Sequence, residues 1–183
     1  MSSNTRQQLE GWLKKQDIVG SVADVGGLFL PIRGRTGKWE VSRYKILDKQ
    51  GFRNGVTADL KVNLNESFDV GEQFEHVFCI EVMSHVWNPV QALKNLNKLT
   101  EVGGKLYISF HTIFPHHSQG DCFRYTRFGI EKLLEETGFF ISEIVPKKSV
   151  KQKELEDFCV AESKVVNCLG EIGYMVRATK HGL

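Results

Sequence analysis

The sequence predicts a single α/β domain built on a mostly parallel β-sheet, and two features in the middle of the chain carry this prediction. One is a short apolar run, Phe74 to Ile80, which is typical of a strand buried on both faces. The other is a second apolar run, Leu106 to Phe110, at a distance that leaves room for a helix between them. Two buried strands joined by a helix form a βαβ unit, so we expect these strands to be parallel.

The segment between the two runs has the pattern of an amphipathic helix that begins at Pro89. One face is apolar and is formed by Ala92, Leu93, Leu96 and Leu99. The opposite face is polar and carries Gln91, Lys94, Asn95 and Lys98. We expect the pair Gly103-Gly104 to end this helix.

Polar residues directly follow both strands. Open parallel sheets bind ligands beyond the carboxyl ends of their strands. We therefore expect the functional site around Glu81 to His85 and around His111.

The first part of the chain predicts a helix, a strand and an irregular crossover. A helix from Thr5 to Gln16, with an apolar side formed by Leu9, Trp12 and Leu13, is expected to cover a sheet edge rather than to close over a substrate. Ser21 to Val25 is the expected first strand, and Gly26-Gly27 forms a tight turn after it. Residues 32–43 show no apolar stripe of 3.6-residue period, so the first crossover helix should be shortened or replaced by a loop.

Further strands are expected at Tyr44–Asp48, Val56–Leu60, Phe139–Val145 and 173–179. Thr126 should cap a helix whose apolar stripe includes Ile130, Leu133 and Leu134. The basic residues that follow the sixth strand are interpreted as a solvated connection: Lys147, Lys148, Lys151 and Lys153. A second helix is expected from Leu155 to Leu169.

Composition bounds the class of protein. The 183 residues fit one domain, divided into an N-terminal helix (1–20), a core (21–145) and a C-terminal connection with the last strand (146–183). A net charge of +2 and a pI near 8.3 are far from those of a strongly basic nucleic-acid binder. There is no apolar run of about 18 residues and no signal peptide, so we expect neither a membrane span nor secretion. The four cysteines form no Cys-x-x-Cys pair, which favours free thiols in the reducing cytoplasm.

The central block resembles a known family. Its motif is Phe74-x-x-Val77-x-x-x-Glu81-Val82-x-x-His85-Val86-x-x-Pro89, then the helix, then Gly103-Gly104-Lys105-Leu106. This is similar to the central block of the class I S-adenosylmethionine-dependent methyltransferases, closest to their small-molecule branch. The resemblance implies a Rossmann-like, mostly parallel seven-stranded sheet with helices on both faces and an antiparallel last strand. It also implies methyl transfer from S-adenosylmethionine to a small-molecule acceptor, with the oligomeric state left open.

The resemblance also implies a set of cofactor-binding residues: Asp24, Gly26, Gly27, Asp48, Asp59, Leu60, Glu81 and Val82. In it, the glycines approach the methionyl part, Asp48 binds the ribose hydroxyls and Asp59 meets the adenine amino group. Asp48 would equally suit the ribose of a nicotinamide cofactor, although the Gly-x-Gly-x-x-Gly motif of that class is absent. An oxidoreductase therefore remains an alternative.

The sequence departs from the family after Gly27, where Leu28 to Pro31 replaces the later glycines. This departure favours a second alternative, a catalytically degenerate module that binds the cofactor without turnover. With the helix lost, Arg33 or Arg35 could supply the positive field for the methionyl carboxylate. The competing interpretation is a solvated basic loop.

The segment from His111 to Thr126 resembles the loop that covers the acceptor site in a subset of this family. The candidate catalytic residues are His111, His116 and His117 as bases, together with Tyr125. His85, Asp121 and Arg124 are candidates for contacting the acceptor; alternatively, Asp121 and Arg124 pair to fix the loop and Tyr125 packs beneath it. The spacing of the histidines fits no zinc pattern, so we expect no metal.

Overall fold

The computed structural model describes residues 3–115, 120–151, 153–157 and 171–182. The helices are α1 (Asn4–Leu13), α2 (Pro89–Leu99) and α3 (Arg127–Glu136), with a short 3₁₀ helix at Met83–His85. The strands are β1 (Ile18–Val25), β2 (Trp39–Asp48), β3 (Phe52–Arg53), β4 (Val56–Thr57), β5 (Leu60–Lys61), β6 (Phe74–Cys79), β7 (Thr100–His111), β8 (Phe139–Lys148) and β9 (Glu171–Lys180).

Seven of these strands form one sheet in the order β5-β2-β1-β6-β7-β9-β8. β5, β2, β1, β6 and β7 are mutually parallel, as the βαβ interpretation predicts. β9 lies antiparallel between β7 and β8, so β8 again runs in the direction of β7. The carboxyl ends of six strands therefore meet at one edge of the sheet, with the amino end of β9 among them.

Helices cover the two faces of the sheet unequally. On one face, α2 and α3 bury their apolar stripes against the larger core cluster, which includes Leu93, Leu96 and Leu134. On the other face, α1 buries Leu9, Trp12 and Leu13 against a smaller cluster. The predicted stripes of all three helices are thus confirmed, and α1 packs across a face of the sheet rather than along its edge.

The first crossover, residues 26–38, contains turns and bends but no helix, which confirms the prediction from its missing apolar period. Leu28 and Ile32 anchor it, since each is 1% exposed. The Thr126 hydroxyl accepts from the Gly129 amide and caps α3, also as predicted.

The predicted third strand is wrong. Val56–Thr57 pairs antiparallel with Phe52–Arg53 in a separate hairpin, and the main sheet takes Leu60–Lys61 instead. The hairpin turns at Asn54-Gly55, both of which have positive φ. Asn-Gly between two short strands is the usual sequence of such a two-residue turn, so the sequence did contain the signal.

Two details of the predicted βαβ unit also need correction. The Gly103-Gly104 pair does not end α2, which stops at Leu99; both glycines lie within β7, where its register against β6 shifts. Asn95 does not belong to an exposed polar face. It is fully buried, and its amide donates to the carbonyls of Leu64 and Glu66.

Most of the predicted helix from Leu155 to Leu169 lies outside the described residues, as do Cys159 and Cys168. Cys79 and Cys122 are free thiols. Within the described part of the chain, every helix is too short or too polar to cross a membrane.

Candidate active site

A cavity of about 580 Å³ opens at the edge of the sheet where the parallel strands end. Four of these strands contribute residues that end or follow them, namely Gly26 after β1, Asp48 from β2, Val62 and Asn63 after β5, and Glu81 and Val82 after β6; His111, at the end of β7, does not line the cavity. The cavity is large enough for a nucleotide-sized ligand. A second cavity, of about 870 Å³, lies at the opposite edge, around the start of β6 and the end of α2; it receives none of the predicted site residues.

The turn after β1 brings backbone close to the cavity. Gly26 has a φ of 79°, and a Cβ atom there would lie 2.3 Å from Cγ2 of Val82. Only glycine fits this position without displacing Val82. A Cβ on Gly27 would instead meet the carboxylate of Asp24 at 2.2 Å, so Gly27 is needed for packing behind the turn.

Asp24 lies behind the turn and does not line the cavity. Its Oδ2 accepts hydrogen bonds from the Ile32 amide and the Tyr44 hydroxyl, each at 2.7 Å. Burial raises the pKa of Asp24 to about 6, although these two hydrogen bonds oppose the rise. Asp24 therefore holds the irregular crossover in place.

Asp48 and Asp59, which the resemblance assigned to the ribose and to the adenine of the cofactor, occupy different environments. Asp48 lines the cavity, and its Oδ1 accepts from the Gln50 amide at 2.9 Å. Asp59 precedes β5 and turns back to β2, where its Oδ2 accepts from the Ile46 amide at 2.7 Å. The structure thus places Asp59, and with it Leu60, outside the cavity lining.

Asn63 and Asn65 take the place beside β5 that Asp59 was expected to fill. Both line the cavity, and the Asn63 side chain accepts from the Asn65 amide. Asn65 in turn accepts from the amides of Trp87 and Asn88, which joins this loop to the start of α2. Asn63 and Asn65 could not be found from the predicted third strand, Val56–Leu60, because the strand of the main sheet is Leu60–Lys61 and the cavity residues follow it.

Glu81 lines the cavity and is held both by its backbone conformation and by its side-chain contacts. Its φ is 60°, a conformation that few residues other than glycine adopt and that often marks a functional site. Its Oε1 accepts from the Ser109 hydroxyl and from Nζ of Lys147, at 2.7 and 2.6 Å. Its Oε2 lies 2.8 Å from Nε2 of His111. Four residues from β7, β8 and the end of β6 therefore form one polar cluster beside the cavity.

Lys147 was interpreted as part of a solvated stretch, and this is wrong. Its residue exposure is only 3%, and it forms an ion pair with Glu81. In the sheet, Lys147 and His111 flank Gly173 of β9 at the same level. A Cβ on Gly173 would lie 2.4 Å from the Phe110 carbonyl oxygen, so this position needs glycine for the close approach of β9 to β7.

The protonation states of this cluster follow from its contacts. Burial alone would raise the pKa of Glu81, but Lys147, His111 and Ser109 outweigh it and hold that pKa below its usual value. Burial lowers the pKa of His111 to about 4, with Lys147 adding to the effect and Glu81 opposing it. At neutral pH, Glu81 is ionised and His111 is neutral. Because Glu81 can only accept, Nε2 of His111 carries the proton, and Nδ1 is left as its acceptor atom.

The loop after β7 is held by its own side chains. Arg124 pairs with both carboxylate oxygens of Asp121 at 2.5 and 2.6 Å and also donates to the Phe114 carbonyl. The Tyr125 hydroxyl donates to the Met83 carbonyl at 3.0 Å, and the residue is 6% exposed. The structure shows the pairing of Asp121 with Arg124 and the packing of Tyr125, as the second interpretation has it, and a catalytic role of the Tyr125 hydroxyl stays a prediction. His116 and His117 lie outside the described residues.

The two arginines of the first crossover also separate. The guanidinium of Arg33 stacks over the Tyr44 ring, 4.7 Å from its centroid, and does not line the cavity. Arg35 lines the cavity and forms two hydrogen bonds with Glu10 of α1. Arg6 of α1, which the sequence analysis did not identify, lines the cavity beside it. His85 lines the cavity from the 3₁₀ helix.

The described residues contain no group of three or more His, Cys, Asp and Glu side chains placed to hold a metal ion. Asp48 and Glu81 are the carboxylates that line the cavity.

Neither a protein-family model nor a curated protein matches this sequence. Solved structures do resemble it. An S-adenosylmethionine-dependent methyltransferase from Mesorhizobium loti aligns with a TM-score of 0.63 and 12% identity, over 96% of this chain and 98% of that one. The N-methyltransferase NodS from Bradyrhizobium japonicum, in complex with S-adenosyl-L-homocysteine, aligns with a TM-score of 0.62 and 12% identity, over 98% and 89%. The cyclase SpnF aligns with a TM-score of 0.58 and 12% identity, over 97% and 80%.

At these identities the likeness concerns the fold. The chain has the fold of the class I S-adenosylmethionine-dependent methyltransferases, which confirms the architecture predicted from its sequence. Because a cyclase shares this fold, the reaction has to be argued from the site itself.

Proposed function

We propose that this chain binds S-adenosylmethionine in the cavity at the carboxyl edge of the sheet and transfers its methyl group to a small-molecule acceptor. The observation that carries the proposal is the cavity lining, in which Gly26, Asp48 and Glu81 follow three adjacent parallel strands. This is the edge at which open α/β sheets bind nucleotides.

The residues present fit the donor. The Oδ2 of Asp48 accepts no hydrogen bond from the described residues, so this carboxylate can accept from ribose hydroxyls. The glycine at position 26 leaves space that a Cβ atom would fill, which allows close approach of the methionyl part. Beside β5, the loop of Asn63 to Asn65 offers amide and backbone groups to the adenine.

Bound S-adenosylmethionine supplies a methyl group on a sulfonium, so that an acceptor lone pair forms the new bond to carbon while the carbon–sulfur electron pair stays on sulfur. The protein has to align the acceptor with the methyl group and exclude water. Glu81 presents a fixed, ionised carboxylate that can bind a cationic or N–H group, because Lys147 and Ser109 hold its orientation. The Nε2–H of His111 donates to the same carboxylate, so Nδ1 is the ring atom that can take a proton from the acceptor.

The experiment that tests the proposal is calorimetry with S-adenosylhomocysteine on the wild type and on Asp48→Ala. Losing hydrogen bonds to a charged carboxylate should weaken binding about ten- to a hundredfold. Asp69→Ala is the matched control, since Asp69 makes the same local bond, to the amide two residues on, at the opposite edge of the sheet. An Asp48→Ala protein that folds and binds like the wild type would remove the ribose assignment. A parallel titration with nicotinamide dinucleotide discriminates the oxidoreductase alternative.

A second candidate is a module that binds the cofactor without turnover. The observation that favours it is the first crossover, where a loop stands in place of the helix whose amino terminus would face the methionyl carboxylate. Incubation with S-adenosylmethionine and a panel of amines, hydroxyls and carboxylic acids, followed by mass spectrometry, separates the two. Tight binding with no methylated product from any acceptor class would favour the second candidate.

A further inference from the structure

The lost crossover helix leaves one end of the cavity without a helix terminus, and α1 supplies charge there instead. Arg6 and Arg35 both line this end, together with Gly26, Leu28 and Leu30 of the crossover. α1 is fixed in this position because Leu9 and Leu13 are almost fully buried against the sheet. Its charged face therefore belongs to the cavity wall.

A single carboxylate, Glu10, joins the two arginines. Nε and Nη2 of Arg35 donate to it at 3.2 and 2.9 Å, and the remaining Nη1 donates to the Leu30 carbonyl at 3.0 Å. Each nitrogen of Arg35 thus donates to a protein acceptor, which uses three of its five N–H groups. The Arg6 guanidinium uses only Nε, which lies 2.7 Å from Oε1 of Glu10. Among the described residues, no acceptor contacts Nη1 or Nη2 of Arg6.

This arrangement has the charge and geometry of an anion site. Two guanidiniums and one carboxylate leave a net charge of +1 at this end of the cavity. Glu10 fixes the Arg6 fork through Nε, and the two free nitrogens form the parallel pair of donors that suits a carboxylate. The group lies next to the turn after β1, the part of the site proposed above for the methionyl moiety.

Resting on that proposed function, we propose that Arg6 binds the α-carboxylate of the S-adenosylmethionine methionyl group, with Glu10 and Arg35 as the residues that position it. Arg6 takes the part that a helix amino terminus would play after β1. This assignment replaces the sequence-based suggestion of Arg33 or Arg35, because Arg33 stacks on Tyr44 and does not line the cavity, whereas Arg35 already donates three of its five N–H groups to Glu10 and Leu30.

The test compares two ligands that differ in the amino-acid part. S-adenosylhomocysteine carries the α-carboxylate, whereas 5′-methylthioadenosine has the same nucleoside and thioether without it. Calorimetry on Arg6→Ala should show S-adenosylhomocysteine affinity lowered about ten- to a hundredfold and 5′-methylthioadenosine affinity unchanged. Lys15→Ala is the control, because it removes an exposed positive charge just beyond α1 that does not line the cavity. Arg6→Gln, which keeps most of the side-chain length, serves if Arg6→Ala does not fold.

Each other outcome overturns the assignment. Equal losses for both ligands would mean that Arg6 shapes the cavity rather than binding a carboxylate. Unchanged affinity for both, with a raised KM for an acidic acceptor, would place the acceptor's carboxylate at Arg6 in place of the donor's. If the wild type binds 5′-methylthioadenosine but not S-adenosylhomocysteine, the carboxylate site is refuted while the nucleoside site stands. If it binds neither, the proposed function fails as well.

Discussion

The buried carboxyl of Asp24 should make the free energy of unfolding depend on pH. It is 3% exposed, and burial raises its pKa from 3.8 to about 6 in the folded protein. A group with a raised folded-state pKa contributes stability that is present below pH 3.8 and is lost as the pH rises through 6. At about 1.4 kcal/mol per pKa unit, ionisation of Asp24 costs about 3 kcal/mol of the free energy of unfolding by pH 7.

Asp24→Asn removes this dependence because asparagine resembles the protonated form of the side chain. Its amide oxygen can still accept from the Ile32 amide and the Tyr44 hydroxyl, as Oδ2 does now. The amide nitrogen adds a constant cost where Oδ1 stands, so the sign of the stability change at one pH decides little. The informative quantity is the slope: relative to the wild type, the variant should gain about 2–3 kcal/mol between pH 4 and pH 7.

The assay is urea unfolding followed by circular dichroism at half-unit steps across that range. Any titration of His111 affects both proteins equally and cancels in the difference. S-adenosylhomocysteine affinity, measured on the same samples at pH 7, should stay within a fewfold of the wild type, since Asp24 does not line the cavity. Parallel stability curves would refute the raised pKa, and a large loss of affinity would return Asp24 to the cofactor-binding residues.

Two further predictions concern the loop side of the site. Lys147→Met should lower the free energy of unfolding by about 2–3 kcal/mol, somewhat less than for a fully buried pair because the Glu81 side chain is 32% exposed. It should also raise the pKa of His111 from about 4, because the Glu81 carboxylate would then act on the imidazole without the opposing charge of Lys147. An NMR titration of the ring that shows no rise would contradict the electrostatic coupling of these three residues. Tyr125→Phe should cost about 1–2 kcal/mol in urea unfolding, because the Met83 carbonyl is left with only the longer bond from the Val86 amide at 3.3 Å. The variant should leave turnover intact; a large loss of turnover at equal stability would restore a catalytic hydroxyl.

The sequence predicted the parts of the fold that depend on local periodicity. The apolar stripes of α1, α2 and α3 are buried as expected, because an amphipathic helix that packs on a sheet turns its apolar face toward that sheet. The missing helical period in residues 32–43 correctly indicated that no helix forms there, although the residues from Trp39 onward belong to β2 rather than to the loop. The predicted position of Asp59 was wrong for a local reason as well. The Asn54-Gly55 turn closes a separate hairpin just before Asp59, and the predicted third strand did not take this turn into account.

The parts of the site that could not be predicted depend on contacts between distant residues. Lys147 contacts Glu81, 66 residues away in the sequence, because β8 ends at the same edge of the sheet as β6. Arg6 and Arg35 come together at the Glu10 carboxylate only because α1 packs over the first crossover. Neither pair has a spacing that a sequence pattern could reveal, whereas strand-end residues such as Asp48 and Glu81 could be found from position alone.

The electrostatics of the polar cluster also limit the kind of acceptor that His111 can serve. General-base catalysis is most effective when the pKa of the base lies near the working pH. At a pKa of about 4, His111 is fully in its basic form at pH 7 but attracts a proton weakly. It can therefore assist an acceptor whose proton becomes acidic as the new bond forms, such as an amine that turns cationic on methylation, far better than an alcohol that must lose its proton first. If His111 is the base of the proposed methyl transfer, the ionised Glu81 beside it would stabilise the same developing positive charge, and we therefore expect a nitrogen acceptor rather than an aliphatic hydroxyl.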